Sequence, residues 1–124
     1  MKRYIKGSRA TSTLLTSDEG NFSLVTTEGV GVNDTPWTGY EVRSTGLAEK
    51  HVVQIRIEMK NADYNGEPVE QIPYYVHIAY GMRSVIDRAS DIREFIKVLQ
   101  EALKFKHAVD TYFSSNIPGY KARD

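Results

Sequence analysis

DIREFIKVLQEALKFKHAVDTYFS, residues 91–114, separates into two sides when wound at about 100° per residue. Phe95, Leu99, Ala102, Val109 and Phe113 fall within about 40° of one direction, with Ile92 and Leu103 at the edge of that sector. Arg93, Lys97, Gln100, Lys104 and His107 gather around the opposite direction. The spacing predicts a helix about 36 Å long, with one face for a core and a mostly basic stripe turned away from it. Asp91 is placed to cap its start, Glu94 completes a capping-box pair, and Asn116-Ile117-Pro118-Gly119 ends it.

Upstream the chain leans towards strands. Residues 51–60 alternate most regularly, with Val53, Ile55, Ile57 and Met59 on one side and Gln54, Arg56, Glu58 and Lys60 on the other. That pattern suits an antiparallel sheet with one wet face. Residues 72–80 form a second run, with Pro73 near its start, where a missing N–H is tolerated. Its more apolar face is Tyr74, Val76, Ile78 and Tyr80, and Tyr75, His77 and Ala79 make the other. Asn65-Gly66 and Pro68 place a hairpin-type connection between the two runs. Residues 38–45 also alternate, and Gly46 with Ala48-Glu49-Lys50 reads as a connecting turn. The first third offers weaker strands at 3–5, 12–16 and 22–27, the last entered through Asp18-Glu19-Gly20-Asn21. A helical turn or short helix is expected at 84–89.

These elements predict a single α+β domain over 1–124: an antiparallel sheet of about four to six strands with one long C-terminal helix packed on one face. Strands are expected within 37–80, helix within 84–114 and a tail over 115–124, with residues 1–36 a mixture of strands and loops. The expected core is Val53, Ile55, Ile57, Met59, Val76, Ile78, Phe95, Leu99, Leu103, Val109 and Phe113. On that view Leu99→Asp should unfold the domain, because an unpaired buried carboxylate is strongly penalised.

The 124 residues suit one domain with a core of its own, and the absence of Cys excludes a disulfide framework, thiolate zinc sites and cysteine catalysis. No apolar run approaches the roughly 20 residues that cross a bilayer, and MKRYIKGSRA leads into no apolar signal region. A cytoplasmic protein without a membrane partner is expected. Lys plus Arg balance Asp plus Glu, 16 against 16, so overall charge advertises no nucleic acid. Locally, the first ten residues are basic, and Asp18, Glu19, Glu28 and Asp34 make the next stretch acidic.

Chemistry-bearing patterns are sparse. His51, His77 and His107 lack ligand spacing to a second His or a carboxylate, so no metal site is expected. Glu94 and Glu101 share a helix side, but Arg93, Lys97 and Lys104 beside them make solvated ion pairs the plainer reading. G-x-S-x-G and S-x-x-K are absent, and Gly29-Val30-Gly31 lacks the rest of a phosphate loop, so no catalytic residue and no cofactor are expected.

What remains favours binding. Eight tyrosines and Trp37 are residue types that anchor interfaces, although Tyr is also an ordinary strand residue. Trp37 and Tyr64, both expected in loops, are the better interface candidates, joined by the acidic loop residues Asp63, Glu67 and Glu70. The leading expectation is a non-enzymatic module, monomeric or homodimeric, that occupies a surface of a larger protein or nucleoprotein. In general character the chain resembles small inhibitors and accessory factors of phages and mobile elements, anti-CRISPR proteins among them. The alternative is single-stranded nucleic-acid binding through Arg88, Arg93, Lys97, Lys104 and His107, with Tyr75 stacking on bases. An antiparallel sheet followed by one long helix broadly resembles an architecture that single-strand-binding proteins use. An enzyme of unrecognised type stands third.

Overall fold

The computed structural model describes residues 9–30, 36–61, 71–81 and 86–123. Five strands and two helices follow in order: β1 (Arg9–Thr16), β2 (Phe22–Val30), β3 (Pro36–Ser44), α1 (Gly46–Lys50), β4 (Val53–Asn61), β5 (Gln71–Tyr80) and α2 (Ala89–Asn116). The α+β class with one long C-terminal helix is as expected. The strands, however, form two antiparallel sheets, β1-β2-β3 and β4-β5, rather than one.

The interruption falls at residues 45–52. Gly46, expected in a simple turn, instead opens the one-and-a-half-turn helix α1 and adopts φ +54°. A side chain there would meet Asn21, whose Oδ1 accepts the Leu47 N–H at 3.0 Å. His51 is therefore the cap of α1 and not the first residue of a strand. Val52 follows in the left-handed region at φ 54°, a conformation that strains a β-branched side chain, and turns the chain into β4. Ser44 Oγ donating to the Val53 carbonyl at 3.1 Å is one of the links that still hold β3 beside β4.

Two bulges redirect side chains. The β1–β2 register slips between Thr13 and Leu15, and the neighbours Leu14 and Leu15 both pack against the core. The β4–β5 register slips where Glu58 pairs with Tyr75 but Met59 with Pro73, which leaves Tyr74 as the extra residue. Alternation restarts there, so Pro73 and Val76 are buried whereas Tyr74 is 44% exposed. Tyr74 thus leaves the apolar face assigned to it from the alternation, and its ring meets that of Tyr75 at 5.3 Å.

The core gathers Phe22, Leu24, Ala48, Val53, Ile55, Val76, Val98, Ala102, Phe105, Val109 and Phe113. Phe22 stacks on Phe105 at 6.2 Å and Tyr40 meets Phe113 edge-on at 5.2 Å. On α2 the buried side is turned by about 40° from the expected sector, towards Val98 and Phe105. Leu103 drops out of the core, and Leu99, Phe95, Ile57 and Ile78 are partly buried around its margin. Leu99→Asp should accordingly cost less than a charge at a fully buried position, since Leu99 is only partly buried. The helix begins two residues early, at Ala89, and Asp91 serves at its third position, accepting the Arg88 backbone N–H at 3.2 Å. Residues 3–5 and residues 84–85 of the expected 84–89 helical turn lie outside the described residues; Ile86–Arg88 precede the helix without helical structure, and Ala89 opens α2 itself. No helix among the described residues is long and apolar enough to cross a membrane.

Candidate functional site

Three sides run along α2, not two. One is the core side. The second is the basic stripe of Arg93, Lys97, Lys104 and His107, all exposed. Between them lies a row of aliphatic side chains, Ile92, Ile96, Leu99 and Leu103, at successive spacings of four, three and four residues. Ile92 and Ile96 are each 48% exposed and Leu103 is 64% exposed. These four fall within about 60° on the helix surface and extend over roughly 16 Å. At the inner flank, Phe95 meets the ring of Tyr80, itself 67% exposed, at 6.4 Å. Water therefore faces a contiguous apolar ridge.

Carboxylates tie α2 to other elements near its start and middle, and hold the C-terminal tail against it near its end. Near its start, Glu94 Oε1 accepts Lys50 Nζ at 2.7 Å and lies 3.1 Å from Nε2 of the buried His51, while Asp91 approaches Lys50 at 3.5 Å. The Lys50 ammonium first, and His51 second, hold the Glu94 carboxyl below its ordinary value, and the same bond raises Lys50. In the middle, Glu101 accepts Ser17 Oγ at 2.5 Å, the Asn21 N–H at 3.1 Å and Asn21 Nδ2 at 2.7 Å. Near its end, Asp110 accepts Tyr120 OH at 2.5 Å and Lys106 Nζ at 2.8 Å. The expectation that Glu94 and Glu101 form solvated pairs with neighbours on their own helix is corrected: both bridge to other elements. A groove of about 670 Å³ runs beside Glu101, with Leu15, Leu47, Lys97, Phe105 and the Lys104–Asp18 ion pair among its walls.

Burial, and then the bond to Asp110, raises the Tyr120 phenol well above its ordinary value; burial likewise raises Tyr40. A raised folded value leaves the stabilisation intact below the unfolded tyrosine value of about 10, and removes it as pH rises beyond that. The protein should therefore lose stability steeply above pH 10 in urea titrations, and Tyr120→Phe should shallow that slope. An unchanged slope would show that Tyr120 ionises freely in the folded protein.

The residues singled out from the sequence are scattered. Trp37 is on β3 rather than in a loop: its indole lies over Gly29 on the paired strand, where a Cβ would come within 2.6 Å of Cζ2. It is 36% exposed and stacked on its own sheet. Asp63, Tyr64, Glu67 and Glu70 lie outside the described residues. Arg88 caps α2, and Lys104 is paired with Asp18. Tyr75 stands with His77 on the sheet face opposite Val76, the face turned away from the core, and so does not adjoin the basic stripe. Arg123 covers it, with its guanidinium 4.1 Å from the Tyr75 ring and 4.5 Å from that of Tyr74. His77 lies 3.3 Å from Glu58.

In the sequence alone the ridge is hidden, because Leu99 and Leu103 read as core, Ile92 lies at the edge of the core sector and Ile96 belongs to neither side. Its heptad-like spacing was the signal that could have found it. Among the described residues no group of three or more His, Asp or Glu side chains is placed to hold a metal ion. Comparison with protein-family models, with characterised proteins and with solved structures finds no match to this chain.

Proposed function

We propose that this chain is a non-enzymatic protein-binding module that occupies a surface of a larger protein or nucleoprotein, in the manner of an inhibitor or accessory factor. The observation that carries this reading is the ridge of exposed Ile92, Ile96 and Leu103, joined through partly buried Leu99, with exposed Tyr80 at its flank. Contiguous apolar surface of this kind costs solubility and is a mark of interaction sites. The acidic groups on the same helix, Asp91, Glu94, Glu101 and Asp110, are engaged by Lys50, His51, Ser17, Asn21, Lys106 and Tyr120, which leaves the ridge itself bordered by cationic and apolar side chains. In general character such a module resembles phage and mobile-element inhibitors such as anti-CRISPR proteins.

A photo-crosslinking amino acid placed at Ile96, and at exposed Glu41 as a control, tests it in lysate of the source cell. One partner should be captured from position 96 and not from 41, and Leu103→Ser in the same chain should abolish the capture without lowering Tm. Equal capture at both positions, or none at 96, overturns the reading. The single-strand alternative would instead show oligonucleotide binding at low salt that falls steeply as salt rises.

A further inference from the structure

The shape and charge around the ridge say more about the occupant, on the premise that the chain is a protein-binding module. A row of four aliphatic side chains on one helix, spaced 4-3-4, matches the seam of a two-helix pairing, in which the under-wound repeat keeps such residues facing one partner. Its outer flank is basic. Arg93 and Lys97 make no ion pair among the described residues, and Lys104 is held only by a pair in which both side chains are more than two-thirds exposed. Such a pair is weak and readily exchanged. The inner flank is apolar, formed by Phe95 and Tyr80.

Beyond Leu103 the same side of α2 is already covered. Lys106 and Asp110 continue the row in helical register, and there the chain's own tail lies across them through Tyr120 and the Arg123 carbonyl. The open seam is therefore about three turns long and ends at a built-in stop. Charge decides between candidates for it. A second copy of α2 laid antiparallel would bring basic flank against basic flank. A segment that is apolar along one edge and acidic along the other meets both flanks favourably.

We infer that the ridge receives an acidic amphipathic helix of about three turns from the partner, its apolar edge on Ile92, Ile96, Leu99 and Leu103 and its carboxylates beside Arg93 and Lys97. The test uses two synthetic helices of about 21 residues with Leu at heptad positions a and d, one flanked by Glu and one by Lys. Fluorescence anisotropy against the full chain should show the Glu peptide binding at least about tenfold tighter than the Lys peptide. Ile96→Ser with Leu103→Ser should weaken it by a similar factor at unchanged Tm. Arg93→Glu with Lys97→Glu should reverse the preference. Equal binding of the two peptides, binding of neither, or sedimentation of the chain as a dimer closed by the ridge overturns the inference. If position 96 still crosslinks a partner in lysate, only the acidic helix fails; if it crosslinks nothing, the module reading fails with it.

Discussion

Ala102→Asp should abolish the folded state at 25 °C, whereas Leu103→Asp, one residue on, should melt within about 3 °C of the parent. Ala102 is fully buried and Leu103 is 64% exposed, although both are apolar and both belong to the same turn. At 102 a carboxylate enters among Phe22, Phe105 and Val98 neighbours of the core, with no water to solvate it. Overpacking alone costs about 1–3 kcal/mol, and an unpaired buried charge adds several more. Lys106, one turn along, is already bound to Asp110, so neutralising the newcomer would break that pair. Domains of this kind hold only about 5–15 kcal/mol in total. Circular-dichroism melts of the two variants decide the matter. A folded Ala102→Asp protein, or an unfolded Leu103→Asp protein, would mean that α2 is rotated from the orientation described.

Asp110→Ala should cost about 3–5 kcal/mol in urea denaturation, the range for removing one member of a buried pair. Asp110 is 4% exposed and is the shared acceptor of Lys106 and Tyr120. Its removal strands a largely buried ammonium and a half-buried phenol, and it releases the tail that Tyr120 and Arg123 hold against α2. The penalty comes from the abandoned partners more than from the lost attraction. Lys106→Met with Asp110→Leu and Tyr120→Phe should therefore recover most of the loss, since apolar replacement of a whole buried network is often close to neutral. A cost below about 1 kcal/mol for Asp110→Ala would show that the cluster is hydrated.

The elements were legible because local rules govern them. Alternation located β3, β4 and β5 to within about two residues, and helical periodicity located α2 with a similar margin. The structure departs from the alternation where a single residue changes the phase. One extra residue at Tyr74 resets β5 and puts two neighbouring tyrosines on one face. Gly46, with Asn21 beneath it, converts an expected turn into α1 and moves His51 from a strand to a buried cap. Neither event leaves a mark in hydropathy. The exposed ridge was harder to read. An apolar residue beside an apolar sector looks like core, and nothing local distinguishes Leu99 at the margin from Leu103 in water. Exposure is a property of what lies opposite.

The order of residues by itself determined the α+β class, the long C-terminal helix, its basic stripe and the absence of thiol chemistry, because these follow from period, composition and charge along the chain. Only the tertiary structure decided how α2 is rotated, which carboxylates fasten it, and that Ile92, Ile96 and Leu103 are left facing solvent. The physical reason is that a sheet covers only part of a helix's circumference. With apolar residues spread over more than that part, the packing of Val98 and Phe105 against Phe22 selects which remainder stays outside.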